Sequence, residues 1–225
     1  MKLPSLTFLS FLVMVGNANA QPNSVYVEQI GSGSTINFTQ TGIGNAIGNP
    51  TAKAVVNGNN NTITVEQIGN TNVAALNAVG AGMNIFSITN GNGNSVSIDC
   101  GSSGDCTGST ITNTITGNGN SLTTNSDNLI DSTVTINSDN NTVTINNTST
   151  SIGGAKSNIN ISGGNGNNVA LTQAGAAGAN GHDTGVTIVG ATNTIDVKQG
   201  GSNDSTVNAT VTGSGNTLNI KSNLQ

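Results

Sequence analysis

Few side chains in this 225-residue chain could take part in chemistry, and their spacing argues against most of it. There is one histidine, His182, within Gly181-His-Asp-Thr-Gly185, one tyrosine, Tyr26, two glutamates, Glu28 and Glu66, and no arginine. Acid–base chemistry needs grouped acids, bases or cations in a cleft. Glu28 and Glu66 instead occupy equivalent places in two copies of Val-Glu-Gln-Ile-Gly, which marks them as repeat positions, and His182 reads as a loop residue. The run Gly163-Gly-Asn-Gly-Asn-Asn168-Val169 follows a calcium-binding repeat rhythm, with asparagine where that motif has aspartate. Calcium favours charged carboxylates, so the amide removes most of the expected affinity. The only thiols, Cys100 and Cys106, match no common zinc or redox spacing. No catalytic, cofactor or metal site is expected.

What the sequence offers instead is a beat of polar-x-apolar-x-apolar. It runs Ser34-Ile36-Phe38, Asn61-Ile63-Val65, Asn94-Val96-Ile98, Asn120-Leu122-Thr124, Asn141-Val143-Ile145, Asn167-Val169-Leu171, Asn193-Ile195-Val197 and Asn216-Leu218-Ile220. The intervals between beats are 27, 33, 26, 21, 26, 26 and 23 residues, a range that signals a solenoid rather than a globular core. Upstream of each beat lies a partner segment of the same alternation: Val25/Val27, Ala54/Val56, Phe86/Ile88, Ile115, Val134/Ile136, Ile159/Ile161, Val186/Ile188 and Val207/Ala209/Val211. Alternation with period two turns Val, Ile and Leu to one face of a strand and Thr and Ser to the other. Turns such as Asn90-Gly-Asn-Gly-Asn94 and Gly213-Ser-Gly-Asn216 carry the residues that tolerate positive φ. The predicted fold is all-β: a β-solenoid of about eight two-strand coils (strand, turn, strand) stacked as two parallel sheets. For residues 41–60 a regular coil and a bulged insertion both remain open.

A strand pair cannot bury its apolar face alone, so the coils must stack, with strands about 4.8 Å apart around a thin apolar interior. Amide side chains facing that interior are expected to stack coil on coil and satisfy one another. The expected ladder comprises Gln29, Gln40, Asn61, Gln67, Asn94, Asn120, Asn141, Asn167, Gln173, Asn193, Gln199 and Asn216. The alternative is that the asparagines serve turn geometry only. The strands at the two ends, carrying Val25, Val27, Ile36 and Phe38 and then Leu218 and Ile220, are expected to lack a cap. Uncapped strands template the addition of another chain.

The first twenty residues break the pattern. Lys2, an apolar run from Leu6 to Val15 and Ala18-Asn19-Ala20 read as a secretory signal peptide over 1–20, leaving a repeat domain over 21–225. The run is too short to span a bilayer, which takes about 20 residues, and no later segment reads as transmembrane. Without Lys2 the net charge is 4 − 10 = −6, and the four lysines are scattered, which excludes the clustered cations that nucleic acid requires. Export makes a Cys100–Cys106 disulfide loop the expectation and a free thiol pair the alternative.

The first coil reads Val25-Tyr-Val-Glu-Gln29-Ile-Gly31-Ser-Gly-Ser34-Thr-Ile36-Asn-Phe38-Thr-Gln40, and the second Ile63-Thr-Val-Glu-Gln67-Ile-Gly69-Asn-Thr-Asn72-Val-Ala74. This resembles the curlin repeat of bacterial curli fibres, S-x5-Q-x-G-x2-N-x-A-x3-Q. Gln29, Gly31, Ser34, Ile36 and Gln40 fall on its Q, G, N, A and Q, as do Gln67, Gly69, Asn72 and Ala74, with Ala78 in the last slot. Gln173-Ala-Gly175 and Gln199-Gly-Gly201 keep Gln and Gly, whereas residues 94–147 have no Gln. The close match covers about a quarter of the chain. The resemblance implies a secreted amyloid subunit of β-solenoid fold that polymerises with itself in the biofilm matrix, with curli-type secretion and nucleation proteins as partners.

A rival function is ice or surface binding through outward threonines at Thr62/Thr64, Thr133/Thr135, Thr142/Thr144 and Thr210/Thr212. A flat array of that kind needs Thr-x-Thr on the same strand in successive coils. Asn37, Ser95/Ser97, Asn168/Ala170 and Asp196 interrupt it.

Overall fold

The computed structural model describes residues 22–100, 106–126, 130–149, 154–175, 178 and 180–223. The expected signal peptide and the loop 101–105 lie outside them. Every described element is a strand. In chain order, the first coil comprises β1 (Ser24–Val25), β2 (Val27–Ile30) and β3 (Thr35–Thr41), and the second β4 (Ala46–Ile47), β5 (Ala54–Asn57) and β6 (Thr62–Ile68). Then follow β7 (Val73–Val79) with β8 (Asn84–Asn90), β9 (Ser95–Cys100) with β10 (Thr110–Thr116), and β11 (Ser121–Ser126) with β12 (Ile130–Asn137). The last are β13 (Thr142–Ser149) with β14 (Ala155–Ser162), β15 (Asn168–Gly175) with β16 (His182–Val189), β17 (Thr194–Gln199) with β18 (Ser205–Thr212), and finally β19 (Thr217–Ser222).

Each strand pairs with its counterpart one coil away, in parallel, and never with its own coil-mate. Two sheets result. The odd-numbered strands from β7 onward, preceded by β1, β2, β4 and β5, form the first; β3, β6 and the even-numbered strands from β8 onward form the second. This is the solenoid the alternation predicts. Its interior is a thin seam of Ile, Val, Leu and Ala, with Ile63, Ile111, Ile136, Ile159 and Val197 among the side chains sealed from solvent. Each such side chain contributes ~1.5–3 kcal/mol before chain entropy is subtracted.

Two expectations need correction. In β8 the inward residues are Ile85, Ser87 and Thr89, whereas Phe86 is 39% exposed and Ile88 also faces outward. The run Ile85-Phe-Ser-Ile88 is apolar in both phases, and strand register decides between them: Ile85 must lie over Ile63 and under Ile111. The beat list also changes sides. Ser34 and Asn61 open strands of the second sheet, while Asn94 and its successors open strands of the first. The 33-residue interval is therefore a jump across the solenoid, not a long coil.

Residues 41–60 form an interrupted coil. Ile47 lies under Ala74 and Val55 under Asn77, so seven residues of this coil face the two that separate their partners. The excess is looped out over 49–53. Asn49 closes that loop: its Oδ1 accepts from the Thr51 and Ala52 amides at 2.9 and 2.7 Å, and its own N–H donates to Ala52 O. Pro50, which could not donate to a sheet ladder, sits at the tip.

Candidate functional site: the amide ladder and the open strand edges

The corner leading into the first sheet is built by a two-residue device. A residue with positive φ reverses the chain, and an asparagine follows it at once. The pairs are Gly44-Asn45, Thr71-Asn72, Gly93-Asn94, Gly119-Asn120, Asn140-Asn141, Gly166-Asn167, Thr192-Asn193 and Gly215-Asn216. The reversal thus falls on the first residue, freeing the second to turn its amide inward. Those amides form a continuous ladder. Each Oδ1 accepts the backbone N–H of the next asparagine: Asn23 from Asn45, Asn45 from Asn72, Asn72 from Asn94, and onward through Asn120, Asn141, Asn167, Asn193 and Asn216, all at 2.9–3.0 Å. From Asn72 on, the same Oδ1 also accepts the next Nδ2, at 2.9–3.1 Å.

The amide donors serve a second row. Asn45, Asn72, Asn94, Asn167 and Asn193 give Nδ2–H to the carbonyls of Gly69, Gly91, Gly117, Gly190 and Gly213, at 2.7–2.9 Å. These glycines are stacked so closely that a Cβ on Gly91 would overlap the Gly117 carbonyl. The asparagine ladder and the glycine stack are one unit, in which the amides of the turn meet partners in the neighbouring coils.

Asn45, Asn72 and Asn23 were not among the expected ladder residues. Asn72 precedes Ala74 and Leu76, but Val73 and Ala75 are apolar as well and hide the alternation, and Asn45 precedes the interrupted second coil. A positive-φ residue precedes Asn45 and Asn72 as it does the later ladder asparagines, but it also precedes Asn61 on the opposite corner, and Asn23 follows Pro22, so it marks a corner and not the ladder by itself. Asn61 lies on the opposite corner, where its N–H meets Ser34 Oγ at 3.1 Å and its Oδ1 accepts from Met83 N–H at 3.0 Å. Methionine offers no acceptor, and that short ladder stops there.

The glutamines form two separate pairs. Gln40 gives Nε2–H to Gln67 Oε1 at 2.8 Å in the second sheet, and Gln173 gives its own to Gln199 Oε1 at 3.0 Å in the first. Each also spans a corner to a backbone carbonyl of the facing sheet: Gln40 to Ser24, Gln67 to Ala46, Gln173 to Lys156, Gln199 to Asp183. Gln29 is the exception. Its register partner is Val56, followed by Ala78, so no glutamine lies above it, and it sits half-buried at the open end.

Further along that column, at coil four, Cys100 and Cys106 are bonded, S–S 2.03 Å, and both are buried. His182 is buried as well. Its Nδ1 lies 2.8 Å from Ser205 Oγ and its Nε2 3.0 Å from Ala174 O, so both ring nitrogens are committed to holding a corner. Glu28 and Glu66 face solvent from opposite sheets; Glu28 pairs with Lys53 at 3.3 Å. Among the described residues no three His, Cys, Asp or Glu side chains converge, and no helix is long and apolar enough to cross a membrane.

The outward threonines are divided. Thr62/Thr64, Thr133/Thr135 and Thr210/Thr212 lie on the second sheet and Thr142/Thr144 on the first. In register, Thr64 meets Phe86 and Thr133 meets Asn158, which in turn meets Gly185, so the threonine columns are broken.

The edges are the remaining feature. At one end Val25, Val27, Ile36 and Phe38, and at the other Leu218 and Ile220, pack on the interior while staying only partly buried. Backbone polarity is uniform: N–H groups of outward residues point up the stack, as from Ser24 to Asn45 O and Thr35 to Asn61 O, while that of inward Ala54 points back to Tyr26 O. The two ends are therefore complementary in donor and acceptor. Comparison of the chain with protein-family models, with curated proteins and with solved structures returned no match.

Proposed function

We propose that this chain is a secreted structural subunit that self-assembles head to tail into an extracellular cross-β fibre serving adhesion and the biofilm matrix. The observation that carries this reading is the pair of complementary open edges on an already in-register parallel array. Added copies extend the ladders with the hydrogen bonds that join coils within one chain, and cover the half-exposed Val25, Val27, Ile36, Phe38, Leu218 and Ile220. The reading assigns no chemistry to the chain. Aliphatic side chains supply cohesion, asparagine and glutamine fix register, and the end coils carry the interface. The curlin-like spacing of the first two coils supports the same assignment and extends it to curli-type secretion and nucleation partners. Broken threonine columns give no specific support to ice or surface binding.

The test is negative-stain electron microscopy of the chain from Gln21, diluted from denaturant into neutral buffer and followed with thioflavin fluorescence. Unbranched fibrils that seed fresh monomer are expected. Persistent compact monomers would overturn the proposal and return attention to surface binding.

A further inference from the structure

The described array is half a coil out of phase with itself. The first sheet has eleven strands, but β1 shares a level with β2 and β4 with β5, so it has 11 − 2 = 9 levels; the second sheet has 8. The total is 9 + 8 = 17 half-coils, an odd number. Among the described residues the uppermost half-coil, β19, therefore has no second-sheet strand at its own level, and the end they form is a step: β19 is one level above β18.

A second copy placed in the same orientation sets its β1 and β2 on β19. Asn23 of that copy then continues the asparagine ladder from Asn216, and its Glu28 comes beside Lys221. Its β3, however, lies two levels above β18, leaving an empty strand position in the second sheet. Neither the outward N–H groups of β18 nor the facing edge of that β3 finds a partner. The gain is one exposed ion pair, the weakest of interactions; the loss is a whole strand ladder and the cover of Val207, Ala209 and Val211.

Resting on the fibre reading above, we propose that successive copies are related by a half-turn about the fibre axis, so that each copy's first sheet continues the preceding copy's second sheet. The sequence is fitted to this exchange. Ser24-Val-Tyr-Val-Glu-Gln29-Ile-Gly31 and Thr35-Ile-Asn-Phe-Thr-Gln40-Thr-Gly42 are two versions of one half-coil, polar-φ-x-φ-x-Gln-x-Gly with φ an apolar residue, so each can sit where the other would. Under the half-turn, β1 and β2 of the next copy fill the step over β18, and its β3 lies on β19. In and out are preserved: Val25 and Val27 of the next copy cover Val207 and Ala209, and its Ile36 and Phe38 cover Leu218 and Ile220.

The corner chemistry is also preserved. Within the chain, Asn61 N–H and Ile130 N–H donate to the serine below, Ser34 Oγ and Ser109 Oγ, each at 3.1 Å. Ser205 occupies that place at the open end, ready to accept from Asn23 N–H of the next copy. Asn216 Oδ1 accepts from Ser34 N–H of the next copy, as each ladder asparagine accepts from the one above it. The fibre thus alternates its two faces from copy to copy, and its axial repeat is two copies rather than one.

Cysteine pairs distinguish the arrangements, because outward residues in register on adjacent parallel strands are about 4.8 Å apart, within reach of a disulfide, and residues two levels apart are not. The half-turn places Asn37 of the next copy beside Asn219, and its Tyr26 beside Asn208; the unrotated arrangement places Tyr26 beside Asn219. All four are outward and exposed, and the native disulfide is buried. Fibrils of Asn37→Cys/Asn219→Cys and of Tyr26→Cys/Asn208→Cys are expected to oxidise to covalent multimers on a non-reducing denaturing gel, and those of Tyr26→Cys/Asn219→Cys to stay monomeric. Multimers in the last variant, or in none, would overturn the half-turn while leaving the fibre itself standing. The first two variants probe the same junction from different sheets, so one that does not assemble is replaced by the other. Absence of fibrils from the unmodified chain would instead remove the fibre reading on which the proposal rests.

Discussion

Replacing Asn167 by alanine tests whether the ladder holds coils together or merely accompanies a turn. Asn167 Oδ1 accepts from Asn193 N–H and Nδ2–H at 2.9 and 3.0 Å, and its Nδ2 donates to Asn141 Oδ1, Gly164 O and Gly190 O at 3.0, 3.1 and 2.9 Å. Alanine removes all five. Asn141 Oδ1 keeps the Asn167 backbone N–H, but buried Asn193 N–H and the part-buried Gly164 and Gly190 carbonyls lose the partners that this side chain supplies. An orphaned buried polar group costs ~1–3 kcal/mol, and the two part-buried carbonyls, which water reaches, add less each, for ~2–5 kcal/mol in all. Asn167→Ser leaves a hydroxyl acceptor of the kind Ser34 and Ser109 provide on the opposite corner, and is expected to cost about half as much. Asn146→Ala, exposed on the adjacent strand β13, is the control, expected within about 0.5 kcal/mol of wild type. Urea unfolding followed by circular dichroism, at concentrations too low for assembly, measures all three. Amide exchange locates the effect, which in a stacked array is confined to the coils around 141–193. A cost for Asn167→Ala no larger than that of Asn146→Ala would show that the asparagines serve the turn alone.

Three further outcomes are expected. Asn113 is fully buried with both amide atoms unpartnered, between Ser87 and Val134 in register, so Asn113→Leu should stabilise the chain by ~1–3 kcal/mol in the same urea assay. Cys100→Ser/Cys106→Ser opens a loop with a sequence separation of 6, and should lower stability by about 2 kcal/mol; an unchanged urea midpoint would mean that the bond constrains nothing the stack does not already fix. Val27→Pro should slow fibril elongation with little change in monomer stability, because inward N–H groups point down the stack and that of Val27 points off the open end, as its register partner Ala54 shows by donating to Tyr26 O. Thioflavin growth rates equal to wild type would count against assembly through that edge.

How much of this was legible beforehand depends on which physical rule each residue obeys. Strand positions from β9 onward follow strict alternation, and there the pattern alone gives the inward set: Val96, Ile98, Leu122, Val143, Ile145, Val169 and Leu171 are all buried. The rule fails where both phases are apolar. In Ile85-Phe86-Ser87-Ile88 hydrophobicity favours Phe86 and Ile88 inside, yet Ser87 is buried with its hydroxyl unpartnered and Phe86 lies in solvent. The glycine spacing overrides the side chains here. Gly58, Gly69, Gly80 and Gly91 recur every eleven residues and stack on one another's corners, so the strand between Gly80 and Gly91 has no freedom to slip by one residue.

The same reasoning explains why the ladder was only partly visible. A search for polar-x-apolar-x-apolar passes over Asn45, whose strand stops at Ile47, and loses Asn72 because Val73 and Ala75 are apolar in the other phase, while it admits Asn61 from the opposite corner. A positive-φ residue precedes every ladder asparagine after Asn23, but Asn60 before Asn61 shares that state, so the ladder is defined by the corner into the first sheet as well as by the backbone before it. Gly44, Thr71, Gly93, Gly119, Asn140, Gly166, Thr192 and Gly215 all have positive φ, and that backbone state turns the next residue's side chain into the stack. Thr71 and Thr192 show how strong this demand is, since a β-branched residue rarely adopts positive φ. Both hold it between a first-sheet ladder and a closely stacked turn, with the hydroxyl bonded to the preceding carbonyl, of Asn70 and Ala191, at 2.7 Å. The array therefore tolerates local strain to keep every asparagine in register. Register, not core volume, is thus the quantity this sequence repeats from coil to coil, and under the fibre reading proposed above a polymer would gain from it again at each junction.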